Sequence, residues 1–126
     1  MKFLVRSTVF ALLAFASPAW SAECEFAHDP PPQSTEATGI NFYNDTQYAM
    51  KIFKTDNEGF LTEMGLFQPS ENAAFDTFVG HSWFVEMYAP ERTECFGPIM
   101  PNQTESCQAR MLWNDGIGID AGYCDF

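Results

Sequence analysis

Positive charge is scarce in this chain of 126 residues, where six Lys and Arg stand against seventeen Asp and Glu. A nucleic-acid binder needs Lys and Arg to displace phosphate counterions, so DNA and RNA are excluded as partners, and anionic membrane surfaces are disfavoured for the same reason. Histidine is limited to His28 and His81, and no Cys-x-x-Cys pair occurs, so no metal site is expected. Catalytic signatures are missing as well: there is no Gly-x-Ser-x-Gly elbow, no His-Glu-x-x-His and no phosphate-binding glycine loop. Acidic pairs such as Glu91 with Glu94, or Asp115 with Asp120, are what seventeen acids produce by coincidence. The expectation is a protein that is not an enzyme and carries no cofactor. Beyond the N-terminus no apolar run approaches membrane length.

The N-terminus has the three parts of a secretory signal. Lys2 and Arg6 supply positive charge, and Val9 to Ala16 form an apolar stretch too short to span a hydrocarbon core of roughly 30 Å as a helix. Pro18 breaks the run, and Ala19-Trp20-Ser21 offers small residues where a signal peptidase reads. Cleavage is expected after Ser21, giving a secreted or periplasmic protein free of the membrane. Removing residues 1–21 leaves four basic and seventeen acidic side chains, a net charge of −13. That charge suits the solubility of an exported protein.

What remains is rich in aromatics, with thirteen Phe, three Trp and four Tyr in the whole chain, far more than a disordered segment carries. Its cysteines are Cys24, Cys95, Cys107 and Cys124, an even count that reads as two disulfides in an oxidising compartment. Three pairings are possible. The expected one joins Cys95 to Cys107 across a loop containing Pro and Asn, and Cys24 to Cys124 so that the chain ends are tied. On the chain-entropy model these closures contribute about 3 and about 4.7 kcal/mol.

Residues 22–38 contain Pro30-Pro31-Pro32 and no apolar periodicity, so they read as an extended leader to a domain over 39–126. From Gly39, Ile40 and Phe42 alternate with Asn41 and Tyr43. The Asn44-Asp45-Thr46 turn then leads to Tyr48, Met50 and Ile52. Asp56-Asn57-Glu58-Gly59 is a turn, and Phe60 to Phe67 is its returning strand. Ala73 to Val79 and Trp83 to Tyr88 flank a corner at Gly80-His81-Ser82. Cys95 to Pro101 reads as an edge strand, because its prolines cannot donate ladder bonds in a central one. Cys107 to Trp113 fits either a strand or a short helix, and Ile117-Gly118-Ile119 follows the Asn114-Asp115-Gly116 turn as a last short strand. Strands at this spacing predict an all-β fold, a small disulfide-stabilised β-sandwich or barrel. Asn44-Asp45-Thr46 and Asn102-Gln103-Thr104 also match the glycosylation sequon, and each is equally a plain turn.

Ile40 to Thr46, the Asp-Asn-Glu-Gly turn, the Pro69 turn and Phe78 to Val85, with Thr77 before Gly80-His81-x-Trp83, resemble the von Hippel-Lindau β-domain family. Cys95-Phe96-Gly97 is similar to a segment in exported relatives of the domain. The similarity covers about residues 38–101 and does not extend to a helical, ligase-recruiting domain. It implies a β-sandwich that binds an extended peptide carrying a hydroxylated proline. By this resemblance Thr77, His81 and Trp83 would line the pocket, where a hydroxyl and an imidazole meet the ligand hydroxyl and an aromatic face packs on the prolyl ring. Met64 stands where the family has a tyrosine, and Phe53 or Lys54 where it has a tryptophan, so two pocket walls differ.

The same residues admit a purely structural role, with Trp83 in the core and His81 bonded to backbone across the corner. Two functions follow. One is a non-catalytic binding module taking an extended peptide or protein partner on a sheet edge or face. The other is a small secreted enzyme or envelope structural protein that uses the sandwich as scaffold.

Overall fold

The computed structural model describes residues 23–126, so the expected signal segment and its cleavage point lie outside the described residues. The fold is all-β. Among the described residues nine strands run in chain order: β1 (Ala37–Asn44), β2 (Met50–Thr55), β3 (Leu61–Phe67), β4 (Asn72–Phe78), β5 (Trp83–Tyr88), β6 (Thr93–Pro101), β7 (Cys107–Trp113), β8 (Ile117–Gly122) and β9 (Cys124–Asp125). They form a four-stranded sheet ordered β4-β1-β7-β8 and a five-stranded sheet ordered β3-β2-β5-β6-β9. All ladders are antiparallel except β1 with β7, which run parallel from Ile40 beside Cys107 to Asn44 beside Met111.

The two sheets share one core. Ile40, Phe42, Cys107, Ala109 and Met111 enter it from the first sheet, and Met50, Ile52, Trp83, Val85, Met87 and Ile99 from the second. In β1 and β7 these residues sit at alternate positions, as a strand with one buried face requires. Trp83 is fully buried at its centre, stacked on Phe75 at 5.1 Å between ring centroids and tilted against Phe42 at 5.8 Å. A β-bulge between Ile52 and Phe53 sets both Met64 and Gly65 against one position of β2 and turns Met64 toward the core.

Cys107–Trp113 is a strand, central in its sheet, which resolves the open alternative. Cys95–Pro101 is not an edge strand, since β6 has β5 on one side and the two-residue β9 on the other; Pro98 falls in the irregular stretch of the β5 ladder and Pro101 at the short β9 pairing.

The disulfide pairing corrects the expectation. All four cysteines are bonded, but as Cys24–Cys95 and Cys107–Cys124, with Cα atoms 4.9 and 5.1 Å apart. Cys95 pairs across the ladder with Glu86, on the outer face of the five-stranded sheet, whereas Cys107 is fully buried on the inner face of the other sheet. A short loop in sequence cannot close a bond through the core. Cys107 instead meets Cys124 of β9, which ties the two sheets together. Two disulfides are compatible with an extracellular or otherwise oxidising environment.

The leader is held against the domain. Beyond the Cys24–Cys95 bond, the Cys24 amide donates to Glu86 Oε2 at 2.8 Å, and the His28 ring stacks on Phe84 at 4.3 Å. Ala27 forms a bridge with Phe60, and the His28 amide donates to the Gly59 carbonyl. Gly59 has φ of 92°, and a Cβ there would stand 2.1 Å from the His28 carbonyl oxygen, so this docking requires glycine. Residues 24–28 thereby cover the outer face of β5, where Phe84 and Glu86 are buried.

Candidate functional site

The β4–β5 corner is a tight turn whose His81 amide donates to the Phe78 carbonyl. Gly80 at its third position has φ of 87°, the value a type II turn demands. The corner is anchored on two sides, by the Gly80 amide to the Pro101 carbonyl and the Val79 amide to the Glu36 carbonyl. Residues 31–35 of the leader pass alongside and, with Asn57, Phe78 and His81, enclose a groove of about 510 Å³.

His81 is half-buried in this groove, its ring 5.5 Å from that of Phe78. Its Nδ1 is buried and has no hydrogen-bond partner among the described residues. Burial lowers its pKa, the nearby Lys54 charge lowers it further, and the Pro32 carbonyl partly opposes both. The imidazole is therefore neutral at pH 7 and can accept or donate according to tautomer. Thr55 Oγ1 is also buried and unpartnered, and the Thr55 amide bonds the carbonyl of Ser82, next to His81. Orphaned polar atoms are rare in a native fold, and these two lie near one corner. Phe78, 39% exposed, adds an apolar contact.

The five expected pocket residues do not converge. Trp83 is in the core rather than partly exposed, and its indole Nε1 donates to Thr77 Oγ1 at 3.1 Å, so Thr77, also buried, spends its hydroxyl internally. The pairing follows from the fold: a fully buried indole needs an acceptor, and β4 supplies one. Met64 packs toward the core, and Phe53 faces the other way, beside Phe84 on the outer face. Only His81 reaches the groove. The leader half of the groove is not legible in residues 22–38 themselves, whose prolines and lack of periodicity read as an extended leader to the domain. The signal was in β5, whose Trp-Phe-Val-Glu-Met run lacks alternation and so implies cover on both faces.

Of the two sequons, Asn44 is buried with its amide donating to the carbonyls of Tyr48 and Phe67, which leaves it inaccessible, while Asn102 is exposed. No protein-family model matches the chain, and no curated protein matches it significantly.

Proposed function

We propose that the protein is an exported, non-catalytic binding module that takes an extended segment of a peptide or protein partner in the groove between the leader and the β4–β5 corner. The observation that carries this reading is the buried, unpartnered His81 Nδ1 beside an exposed Phe78 in a groove walled by extended backbone. An incoming backbone or side-chain polar group would satisfy the imidazole while an apolar side chain covers Phe78. The resemblance to the von Hippel-Lindau β domain supports a peptide ligand. The Trp83–Thr77 bond speaks against a hydroxyproline pocket of that family's kind, because the hydroxyl that would meet the ligand is already engaged.

Capture of partners by the native protein, compared with His81→Ala and Phe78→Ala, tests the proposal. Both variants are expected to lose binding about tenfold or more with little change in melting temperature. Proline-containing peptides with and without 4-hydroxylation should bind equally. Retained binding in both variants would remove the groove from consideration.

A further inference from the structure

Among the described residues nothing covers the outer face of the β4-β1-β7-β8 sheet, and the ladder registers set a single row of side chains across it. Asn72 pairs with Tyr43, Tyr43 with Arg110, and Arg110 with Asp120. Three interstrand gaps make this row roughly 14 Å long. Two hollows flank it and share Tyr43 and Arg110. One, of about 480 Å³, adds Gln108, Asp120, Ala121 and Gly122, and the other, of about 300 Å³, adds Asp45, Ser70 and Asn72.

The row is preorganised. The Tyr43 hydroxyl donates to Gln108 Oε1 at 2.8 Å; Arg110 donates through Nε and Nη2 to Asp45 Oδ2 at 2.9 and 2.7 Å, and through Nη1 to Asp120 Oδ2 at 3.3 Å. Arg110 is thus neutralised by two carboxylates, so the site offers no net positive charge to an anion. It also occupies the space between those carboxylates that a cation would need. What it does offer is a dense alternation of acceptors and donors around an aromatic ring, with Gly122, opposite Gln108, leaving the surface of β8 low there. A neutral ligand that presents donors and acceptors on adjacent atoms, and apolar C–H groups on one ring face, matches both properties.

We propose that this face binds a neutral carbohydrate, an oligosaccharide laid across the sheet from β8 to β4 with one ring in each hollow. The site is separate from the His81 groove and stands or falls independently of it.

The test is titration of the isotope-labelled full chain, both disulfides formed, with short neutral gluco-, manno- and N-acetylglucosamine oligosaccharides, one anionic uronic-acid oligosaccharide and one proline-rich peptide, followed by amide NMR. At least one neutral saccharide is expected to shift Tyr43, Gln108, Arg110 and Asp120 in a saturable way. Arg110→Ala and Asp120→Asn should weaken that binding about tenfold or more, and His81→Ala should leave it unchanged. Asn72→Ala, an exposed change at the other end of the row, serves as a second probe if Arg110→Ala disturbs folding. The proposal is overturned if no neutral saccharide binds at millimolar concentration, if the shifts map elsewhere, if the anionic saccharide binds more tightly, or if only the peptide occupies this face.

Discussion

The outer face of the five-stranded sheet lies under residues 24–28, bonded through Cys24–Cys95 and stacked through His28 on Phe84, whereas the outer face of the four-stranded sheet is polar and, among the described residues, bare. The strands differ accordingly. β5 is buried at Trp83, Phe84, Val85, Glu86 and Met87 in succession, while β1 buries only Ile40, Phe42 and Asn44, at alternate positions. A strand covered on both sides has no free surface with which to recognise a partner, so any recognition must fall at its edges and corners, as proposed for His81. A strand covered on one side keeps a whole face for it. In this molecule the polar half of the alternation is where side chains are free to meet a ligand.

The contrast is tested most severely at the centre, where both sheets depend on Trp83. Trp83→Ala is expected to lower stability by about 3 to 5 kcal/mol, because it empties the contact with Phe42 and Phe75 and strands the Thr77 hydroxyl. Chemical denaturation of the variant measures it. A loss below about 1 kcal/mol would show that the sheets do not meet through this residue.

The leader clamp comes next. Replacing Cys24 and Cys95 with Ser opens a crosslink between residues 71 apart, for which chain entropy alone allows up to about 4.4 kcal/mol; opening Cys107–Cys124, 17 residues apart, allows about 3. The first change should also expose amides of β5 and of residues 24–28 to hydrogen exchange, and leave β1 and β7 protected. Exchange spread evenly over both sheets would break the comparison, since the clamp would then be holding the whole fold rather than one face. Peptide mapping without reduction checks the pairing itself.

Much of this architecture was legible in the sequence. Alternation and turn residues placed β1, β2, β3, β4 and β5 within a few residues, because each has at least one face whose burial imposes a period of two or a glycine that fixes a turn. The cysteine pairing was not legible, because it depends on which sheet and which face each cysteine occupies, and sequence separation carries neither. The parallel pairing of β1 with β7 was hidden for a related reason: their registers bring together residues more than sixty positions apart. The candidate site suffered most. The resemblance implies Thr77 and Trp83 as pocket lining, whereas in the fold one hydrogen bond joins them as a satisfied core pair.

Glu86 measures how tightly the covered face is sealed. Its carboxylate accepts from the Cys24 amide and from the Tyr88 hydroxyl, and burial together with that bond and the Glu86 charge raises the Tyr88 pKa well above its ordinary value. Glu86→Ala leaves both donors without a partner, and a loss of about 1 to 3 kcal/mol is expected by thermal melting. A neutral result would mean that water reaches this face.

His81 lies between the covered and open regions, and its response to pH sharpens the distinction. Its folded-state pKa is lowered, so the unfolded chain takes up the proton first as pH falls below about 6.5. Stability tied to the neutral ring is complete above that pH and is lost progressively as pH falls to the lowered folded value, after which it changes no further. Melting temperatures of the parent and His81→Gln, followed from pH 7.5 to pH 5, should therefore diverge, the parent losing more. Parallel curves would show that the imidazole titrates as if exposed.

The smallest effect is expected on the bare sheet. Arg110 and Asp120 have side chains 50% and 69% exposed, and Arg110 and Asp45 50% and 56%. Ion pairs this open are screened by water and salt, and measured pairs of the kind contribute at most about 1 kcal/mol. Arg110→Ala should therefore shift stability by about 0.5 kcal/mol or less, with the difference shrinking further in salt. The value of this variant is the contrast with Glu86→Ala, which removes one charged side chain from the opposite outer face. If the two cost the same, the row across β4, β1, β7 and β8 is holding the fold in the way the leader does. If Arg110→Ala is silent in stability, Arg110 and its two ion pairs are spare to the architecture, which is the condition a surface must meet before its arrangement can be set by a ligand.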